Sequence, residues 1–235
     1  MQNPSDRSIQ TDAAVDDLAL AEAARYALLR RLAPTIRHHL VGEFQPIGMI
    51  ATMIDRRLQS DAPDLIHLRD NSAALDKLAR TSASTCLNLM SWLVLKTGAV
   101  TRLDNGVVDC LSLLTTELRF RGFVIVNGMA ELSVAVTTAA LRSVLPAALL
   151  ALSDQQPGPA DVVLTAAEVP GGVALSIIRK PAERSAENSP PSEYRALTWR
   201  DVAALAQAES VGFSQSEDTV QLSFLKASPA PHLAG

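Results

Sequence analysis

The sequence of 235 residues has few cysteines and no long uncharged apolar run. Its two cysteines, Cys86 and Cys110, lack the spacing of a metal site or a disulfide framework. We interpret both as reduced thiols packed as small hydrophobic groups. Without a run of about 18 apolar residues, no membrane-spanning helix is expected. The polar start, Met1–Asp12, lacks the apolar core of a secretory signal. These absences predict a cytoplasmic protein without membrane insertion.

An excess of positive charge is also absent. The 21 Lys and Arg residues are outnumbered by 25 Asp and Glu residues, which gives a net charge of -4. A partner held by phosphate contacts, such as a nucleic acid, is therefore not expected. Aromatic residues make up only 4%, whereas hydrophobic residues make up 48%, enough for a sizeable core. Of the four histidines, His38 and His39 are adjacent.

The first part of the chain is predicted to be helical after a disordered start at residues 1–14. Residues 15–59 are rich in Ala, Leu, Arg and Met, and only Pro34 and Pro46 oppose a helix. Apolar positions within this segment are separated by three or four residues, which is typical of a helix packed in a bundle. This predicted seam consists of Leu40, Phe44, Ile47, Ala51, Ile54 and Leu58.

A turn at residues 60–64 separates the first helix from a second one, predicted over about 65–95. Asp64 is a plausible N-cap of this second helix. Two long helices joined by a short turn form an antiparallel hairpin, which we assign to residues 15–97. A hairpin buries only one side of each helix. Its remaining apolar surface predicts a homodimer, in which two hairpins form a four-helix bundle.

After Gly98 the sequence pattern changes to α+β. Residues 98–226 are predicted to form a mixed sheet with helices covering one face. Residues 180–194 are predicted to be a mobile loop and residues 227–235 a disordered tail. The predicted helices are 107–121, 139–152 and 199–208, and the predicted strands are 123–126, 132–136, 161–167, 172–178, 212–216 and 219–225.

The stretch from Arg37 to Ile47 is the most informative about chemistry. His38 lies roughly 200° around the helix from Leu40, so we expect its side chain to face solvent. A neutral imidazole is nucleophilic near physiological pH, and at an open surface it can accept a phosphoryl group. The alternative is that His38 and His39 are ordinary solvated surface histidines, and the spacing alone leaves this open.

This stretch resembles the H-box of the dimerisation and phosphotransfer domain of two-component histidine kinases. His38 falls on the phospho-accepting histidine and Leu40 on the leucine two positions later. It is closer to phosphorelay phosphotransferases built on a degenerate kinase body, whose pattern is matched at His38, Phe44 and Gln45. His39 stands where the family has an acidic residue that assists transfer from ATP. Glu43, one turn beyond His39, is a candidate for orienting an imidazole.

The region after residue 98 resembles a degenerate kinase ATP-binding domain of the GHKL type. Residues 141–152 fall on the N-box helix, but the two asparagines of that pattern are Ala147 and Ala151 here. The Asp-x-Gly-x-Gly motif is replaced by residues 179–182, and the second glycine-rich box is also absent. The resemblance therefore implies no ATP site and no cofactor, and Mg²⁺ is expected on a partner receiver domain.

The resemblance implies a histidine phosphotransfer protein of a two-component phosphorelay. His38 would carry a phosphoryl group between the aspartates of response-regulator receiver domains, and His39 stays open as the acceptor. The residues expected to orient the imidazole or contact the receiver are Arg37, His39, Glu43 and Gln45. The alternative function is a non-catalytic dimeric pseudokinase scaffold that binds a kinase or a response regulator. An active ATP-dependent kinase is disfavoured by the missing motifs.

Other charged residues receive ordinary structural interpretations. The pairs at 153–154 and 217–218 are predicted to cap or solvate the ends of elements. The arginines of the first helix are predicted to form a solvated face, on which Arg37 could also dock an acidic receiver pocket. These arginines are Arg30, Arg31, Arg37, Arg56 and Arg57.

Overall fold

A computed structural model describes residues 4–94, 96, 98–130, 132–156, 158–183 and 194–228, with side chains described from residue 16 onward. Helices and strands both occur, as the α+β prediction requires. The helices are α1 (Pro4–Leu58), α2 (Leu65–Met90), α3 (Leu103–Phe120), α4 (Thr138–Gln155) and α5 (Trp199–Ala208). The strands are β1 (Val100–Arg102), β2 (Phe123–Asn127), β3 (Ala135–Thr137), β4 (Ala160–Val169), β5 (Gly172–Pro181), β6 (Gly212–Gln215) and β7 (Thr219–Leu225).

Helix α1 is longer than the sequence predicts. It begins at Pro4, whereas the sequence analysis predicts disorder for residues 1–14. A proline at the first helical position costs no hydrogen bond, because that N–H would have no partner within the helix. Pro34 and Pro46 lie inside the helix without ending it. The predicted loop at 180–194 and the predicted tail lie mostly outside the described residues, at 184–193 and 229–235.

The chain divides into two compact units. One combines residues 1–32 with residues 95–235, and the other consists of residues 33–94. The predicted hairpin covers residues 15–97, whereas the two units meet after residue 94 and also after residue 32, within α1. We call the first unit the α/β unit and the second the helical pair.

The α/β unit is built on a five-stranded mixed sheet. Its strand order is β2-β4-β5-β7-β6, in which β2 and β4 are parallel and the other neighbours antiparallel. Burial alternates along β4 and β7, so one face of the sheet is covered and the other is more open. Helix α4 is the centre of the covered side, since 13 of its 18 residues are buried.

A smaller sheet of two strands pairs β1 with β3. The strand predicted at 132–136 is shorter and shifted, since β3 covers only Ala135–Thr137. The preceding carbonyl, that of Val134, instead accepts a hydrogen bond of 2.9 Å from the backbone N–H of Leu103. Leu103 is the first residue of α3, so this carbonyl satisfies an N–H that the helix itself leaves without a partner.

In the helical pair, residues 33–58 of α1 contact α2. Ser82 Oγ donates a 3.0 Å hydrogen bond to the backbone carbonyl of Glu43. Of the predicted seam on α1, Leu40, Ile47 and Ile54 are half-buried, whereas Phe44, Ala51 and Leu58 are exposed in the single chain. The helix carries two apolar stripes, and hydrophobicity alone did not separate the inner one from the outer one. The buried or half-buried inner stripe includes Ile36, Leu40, Glu43, Ile47, Ile50 and Ile54.

Candidate functional site

His38 lies on the exposed face of α1, with the side chain open to solvent. Its neighbour Arg37 is also exposed, whereas His39 is half-buried. The two imidazole rings are 6.4 Å apart between centroids, and their planes are tilted by 52°. The rings therefore do not stack. Of the two histidines, His38 presents the more accessible nucleophile.

Residues two turns further along the helix share the face of His38. Gln45 is exposed, and so is Gly42 between them. A Cβ added at Gly42 would meet no atom within 4 Å beyond its own stretch of the helix. A glycine inside a helix destabilises it by roughly 0.5–1 kcal/mol relative to alanine, and packing within this chain does not require it. The surface beside His38 therefore allows another backbone to approach closely.

Glu43 is turned away from this face. It is half-buried, and its Oε2 atom lies 3.5 Å from Ser82 Oγ on α2. Its backbone carbonyl accepts the hydrogen bond from the same hydroxyl. The structure thus places Glu43 in the seam between the two helices, while His38, Arg37 and Gln45 are each exposed at the surface.

The residues that the sequence analysis aligns with nucleotide-binding motifs are buried or ion-paired in this fold. Ala147 and Ala151, which stand where the resembling family has asparagine, are both fully buried in α4. Arg179, at the start of the segment that replaces the glycine-rich motif, forms an ion pair of 3.3 Å with Asp218. Among the described residues, no group of three His, Cys, Asp or Glu side chains could hold a metal ion. Alanine methyl groups supply no Mg²⁺ ligand.

A buried charge cluster in the α/β unit was not predicted. Arg31 was expected on a solvated face, but its side chain is almost completely buried. It donates to Asp154 Oδ2 at 2.8 Å and to Glu117 Oε1 at 2.5 Å. Asp154 was interpreted as a capping residue. It also accepts from Arg121 Nη1 at 2.7 Å and from the backbone N–H of Leu197 at 2.8 Å.

The cluster is electrically balanced and keeps Arg31 charged. Burial lowers the pKa of Arg31, but hydrogen bonds and charges from Asp154 and Glu117 raise it above its ordinary value. The sequence held a signal for this burial. Arg31 lies three residues after Leu28 and seven after Ala24, on the same helical face as these buried residues. An arginine at a position of the apolar stripe is compatible with a solvated face, but it also indicates a buried side chain with an acidic partner.

Comparison with known proteins gives structural neighbours only. No protein-family model matches the chain, and no curated protein matches it. The catalytic domain of histidine kinase ThkA aligns with a TM-score of 0.42 at 10% identity, covering 56% of this chain and 96% of that chain. The Acinetobacter baumannii histidine kinase AdeS aligns with a TM-score of 0.40 at 14% identity, covering 76% and 94%. A histidine kinase from Burkholderia phymatum aligns with a TM-score of 0.39 at 18% identity, covering 86% and 98%.

Within the described part of the chain, none of the helices combines the length and the apolar character needed to span a bilayer.

Proposed function

We propose that this protein is a histidine phosphotransfer protein, in which His38 carries a phosphoryl group between the aspartates of receiver domains. The observation that supports this most is the exposure of His38 on a regular helix, beside Arg37 and Gln45. A rigid helix holds the imidazole at a fixed place on an open surface, so a receiver can bring its phosphoaspartate to it. The resemblance of this stretch to an H-box motivates the same assignment.

The proposed reaction is an in-line phosphoryl transfer. A neutral imidazole nitrogen of His38 attacks the phosphorus of an aspartyl phosphate, so an N–P bond forms while the acyl O–P bond breaks. The aspartate carboxylate leaves with the electron pair of that bond. The receiver would supply Mg²⁺ and the acidic residues that bind it. Transfer to a second receiver is the reverse reaction, and ATP takes no part in either step.

We further propose that the protein acts as a homodimer through the helical pair, as a four-helix bundle. Many large apolar side chains of this unit are exposed in the single chain, which favours burial against a second copy. In α2 they include Leu87 and Met90, which are three residues apart and so share one face. The imidazole of His38 stays accessible in such a dimer when it lies outside the surface that the second copy covers.

The test is transfer of radioactive label from a receiver domain. Isolated receiver domains are charged with ³²P-acetyl phosphate, purified, and mixed with the protein in Mg²⁺ without ATP. We expect label on the protein that is labile in acid and stable in base, as a phosphoramidate bond is. His38→Ala is expected to abolish this label, and His39→Ala to keep it.

The two variants also separate the alternatives. Label that survives His38→Ala and disappears in His39→Ala would move the acceptor to His39. If the wild-type protein binds receivers but takes up no label, the proposal fails and a non-catalytic scaffold replaces it. Lys77→Ala, on α2, serves as the control for a surface substitution that leaves His38 and His39 unchanged.

A further inference from the structure

The first half of α1 lies against the α/β unit through a narrow stripe. We call residues 17–32 of α1 the strap. Its buried residues recur every three or four positions, so a single face of the helix meets the unit. Three of them are alanines, each of which buries one methyl group. The buried residues of the strap are Ala21, Ala24, Ala27, Leu28, Arg31 and Leu32.

Because the apolar stripe is small, polar contacts hold much of the strap. Arg31 binds Asp154 at the end of α4 and Glu117 in α3. Arg25 Nη2 lies 2.7 Å from Glu209 Oε1, just after α5. The strap thus joins the ends of three helices, α3, α4 and α5, through charged side chains. A buried ion pair contributes less net stability than apolar groups of the same volume, but it specifies one geometry.

A second segment depends on the same carboxylate. Asp154 Oδ2 accepts both from Arg31 and from the backbone N–H of Leu197, at 2.8 Å each. Leu197 is fully buried and directly precedes Thr198, the N-cap of α5. The guanidinium of Arg30 also lies 5.0 Å from the ring centroid of Tyr194. The strap and residues 194–198 therefore meet the same carboxylate and touch each other directly.

We propose that the strap is a releasable element, locked by Arg31 on Asp154 and Glu117, whose opening also loosens residues 194–198. The α/β body formed by the sheet, α3 and α4 stays folded when the strap opens. The strap is then a conformational switch formed by residues 17–32 of α1. This inference stands on the contacts of the α/β unit and is independent of phosphotransfer at His38.

Hydrogen exchange of the full chain, followed by mass spectrometry, tests this. Arg31→Met keeps an unbranched apolar stem of about the length of arginine's and removes the guanidinium with its charge. We expect exchange in residues 17–32 to accelerate at least tenfold, and exchange at residues 194–198 to rise with it. Exchange in β4 and β5 is expected to change by less than twofold. The matched control is Arg80→Met, because Arg80 forms an exposed pair with Asp76.

The remaining outcomes of the exchange experiment each contradict a part of the proposal. Unchanged exchange in residues 17–32 would overturn the lock. Equal acceleration in the strap and in β4 and β5 would show that residues 17–32 are an ordinary core layer. If the strap opens while residues 194–198 keep their protection, the coupling through Asp154 is refuted. Should Arg31→Met fail to fold, Glu117→Gln removes one partner and keeps the contact of Arg31 with Asp154. It is expected to give the same pattern at a several-fold acceleration, and a flat response would overturn the lock.

Discussion

The two units differ in how completely a single chain buries them. In α4 of the α/β unit, 13 of 18 residues are buried. In the whole of residues 33–94, only Ile36, Ser82, Leu89 and Trp92 are buried. The large apolar residues exposed in this helical pair are Val41, Phe44, Met49, Met53, Leu58, Leu65, Ile66, Leu87, Met90, Leu93 and Val94.

This difference in burial indicates that apolar surface has a different role in each unit. In the α/β unit the chain supplies both sides of each contact, so the core specifies its own fold. In the helical pair each helix packs on one side, and the other side meets water in the single chain. Exposed patches of this extent on a soluble surface mark interaction sites. The difference therefore favours a self-sufficient α/β unit and a helical pair completed by a second copy.

The largest effect we predict is on the free energy of unfolding. It is tested by the same change, glycine to alanine, made once in each unit. Gly172, where β5 begins, lies so close to β7 that an added Cβ would overlap the carbonyl oxygen of Phe224. Gly172→Ala must move one strand, and we expect a loss of about 3 kcal/mol in the free energy of unfolding. Gly42→Ala meets open space inside a helix, so we expect a gain of roughly 0.5–1 kcal/mol.

Urea unfolding of the two variants, followed by circular dichroism, measures both values. Opposite signs are the decisive result, since both substitutions add the same methyl group. A loss at Gly42 of the size expected at Gly172 would show that residue 42 is packed, against the description of an open face. A neutral Gly172→Ala would mean that the two strands separate easily, and the contrast between the units would weaken.

Local patterns allowed much of the α/β unit to be predicted. Helix α5 and strand β7 begin and end at the predicted residues, 199–208 and 219–225. Both carry strong local signals: a Thr-x-x-Asp capping box begins α5, and strict alternation marks β7. Strand β3 is shorter than local patterns predict. The carbonyl of Val134 accepts a hydrogen bond from Leu103 in α3, and a contact between segments so distant in the sequence leaves no local signal.

The candidate site was predicted only in its local part. The exposure of His38 follows from its angle on the helix relative to Leu40, and the structure agrees. The inward position of Glu43 depends on α2, and the burial of Arg31 depends on Asp154, which is 123 residues away. Helical periodicity gives the direction of each side chain around its own helix. It does not show which of these directions faces another segment of the chain. The sequence pattern therefore placed Arg31 on the wrong surface.

The next largest effect we predict is on dimerisation, and it distinguishes the helical pair from the α/β unit. Leu87 in α2 and Leu225 in β7 are both exposed leucines, at 74% and 67%. We expect Leu87→Glu to weaken self-association at least tenfold, about 1.4 kcal/mol, because a charge would enter the apolar contact. Leu225→Glu is expected to leave it unchanged. Sedimentation equilibrium over a range of concentrations measures both, and a wild-type monomer at every concentration would refute the dimer.

The smallest effect concerns the caps of one helix in each unit. Burial raises the pKa of Asp201 in α5, but hydrogen bonds from Arg195 and Thr198 and the charge of Arg195 hold it below its ordinary value. The backbone N–H of His67 and the His67 ring lower the pKa of Asp64, the N-cap of α2. A carboxylate with a lowered pKa stabilises the fold above its ordinary pKa of about 4, and this stability is lost as the pH falls through the folded value.

Asp64 is itself an N-cap, whereas Asp201 is the third residue of α5 and accepts from its N-cap, Thr198. The two carboxylates differ in exposure, and their substitution by asparagine compares them. Asp201 is almost completely buried, so we expect Asp201→Asn to cost on the order of 1 kcal/mol at pH 7. The difference from the wild type should shrink as the pH falls below about 4, where the wild-type carboxylate takes up its proton. Asp64 is exposed to solvent, which screens its charge, so Asp64→Asn is expected to change stability less. Urea unfolding of both variants between pH 7 and pH 3 tests this, and an equal cost for both would remove burial as the cause.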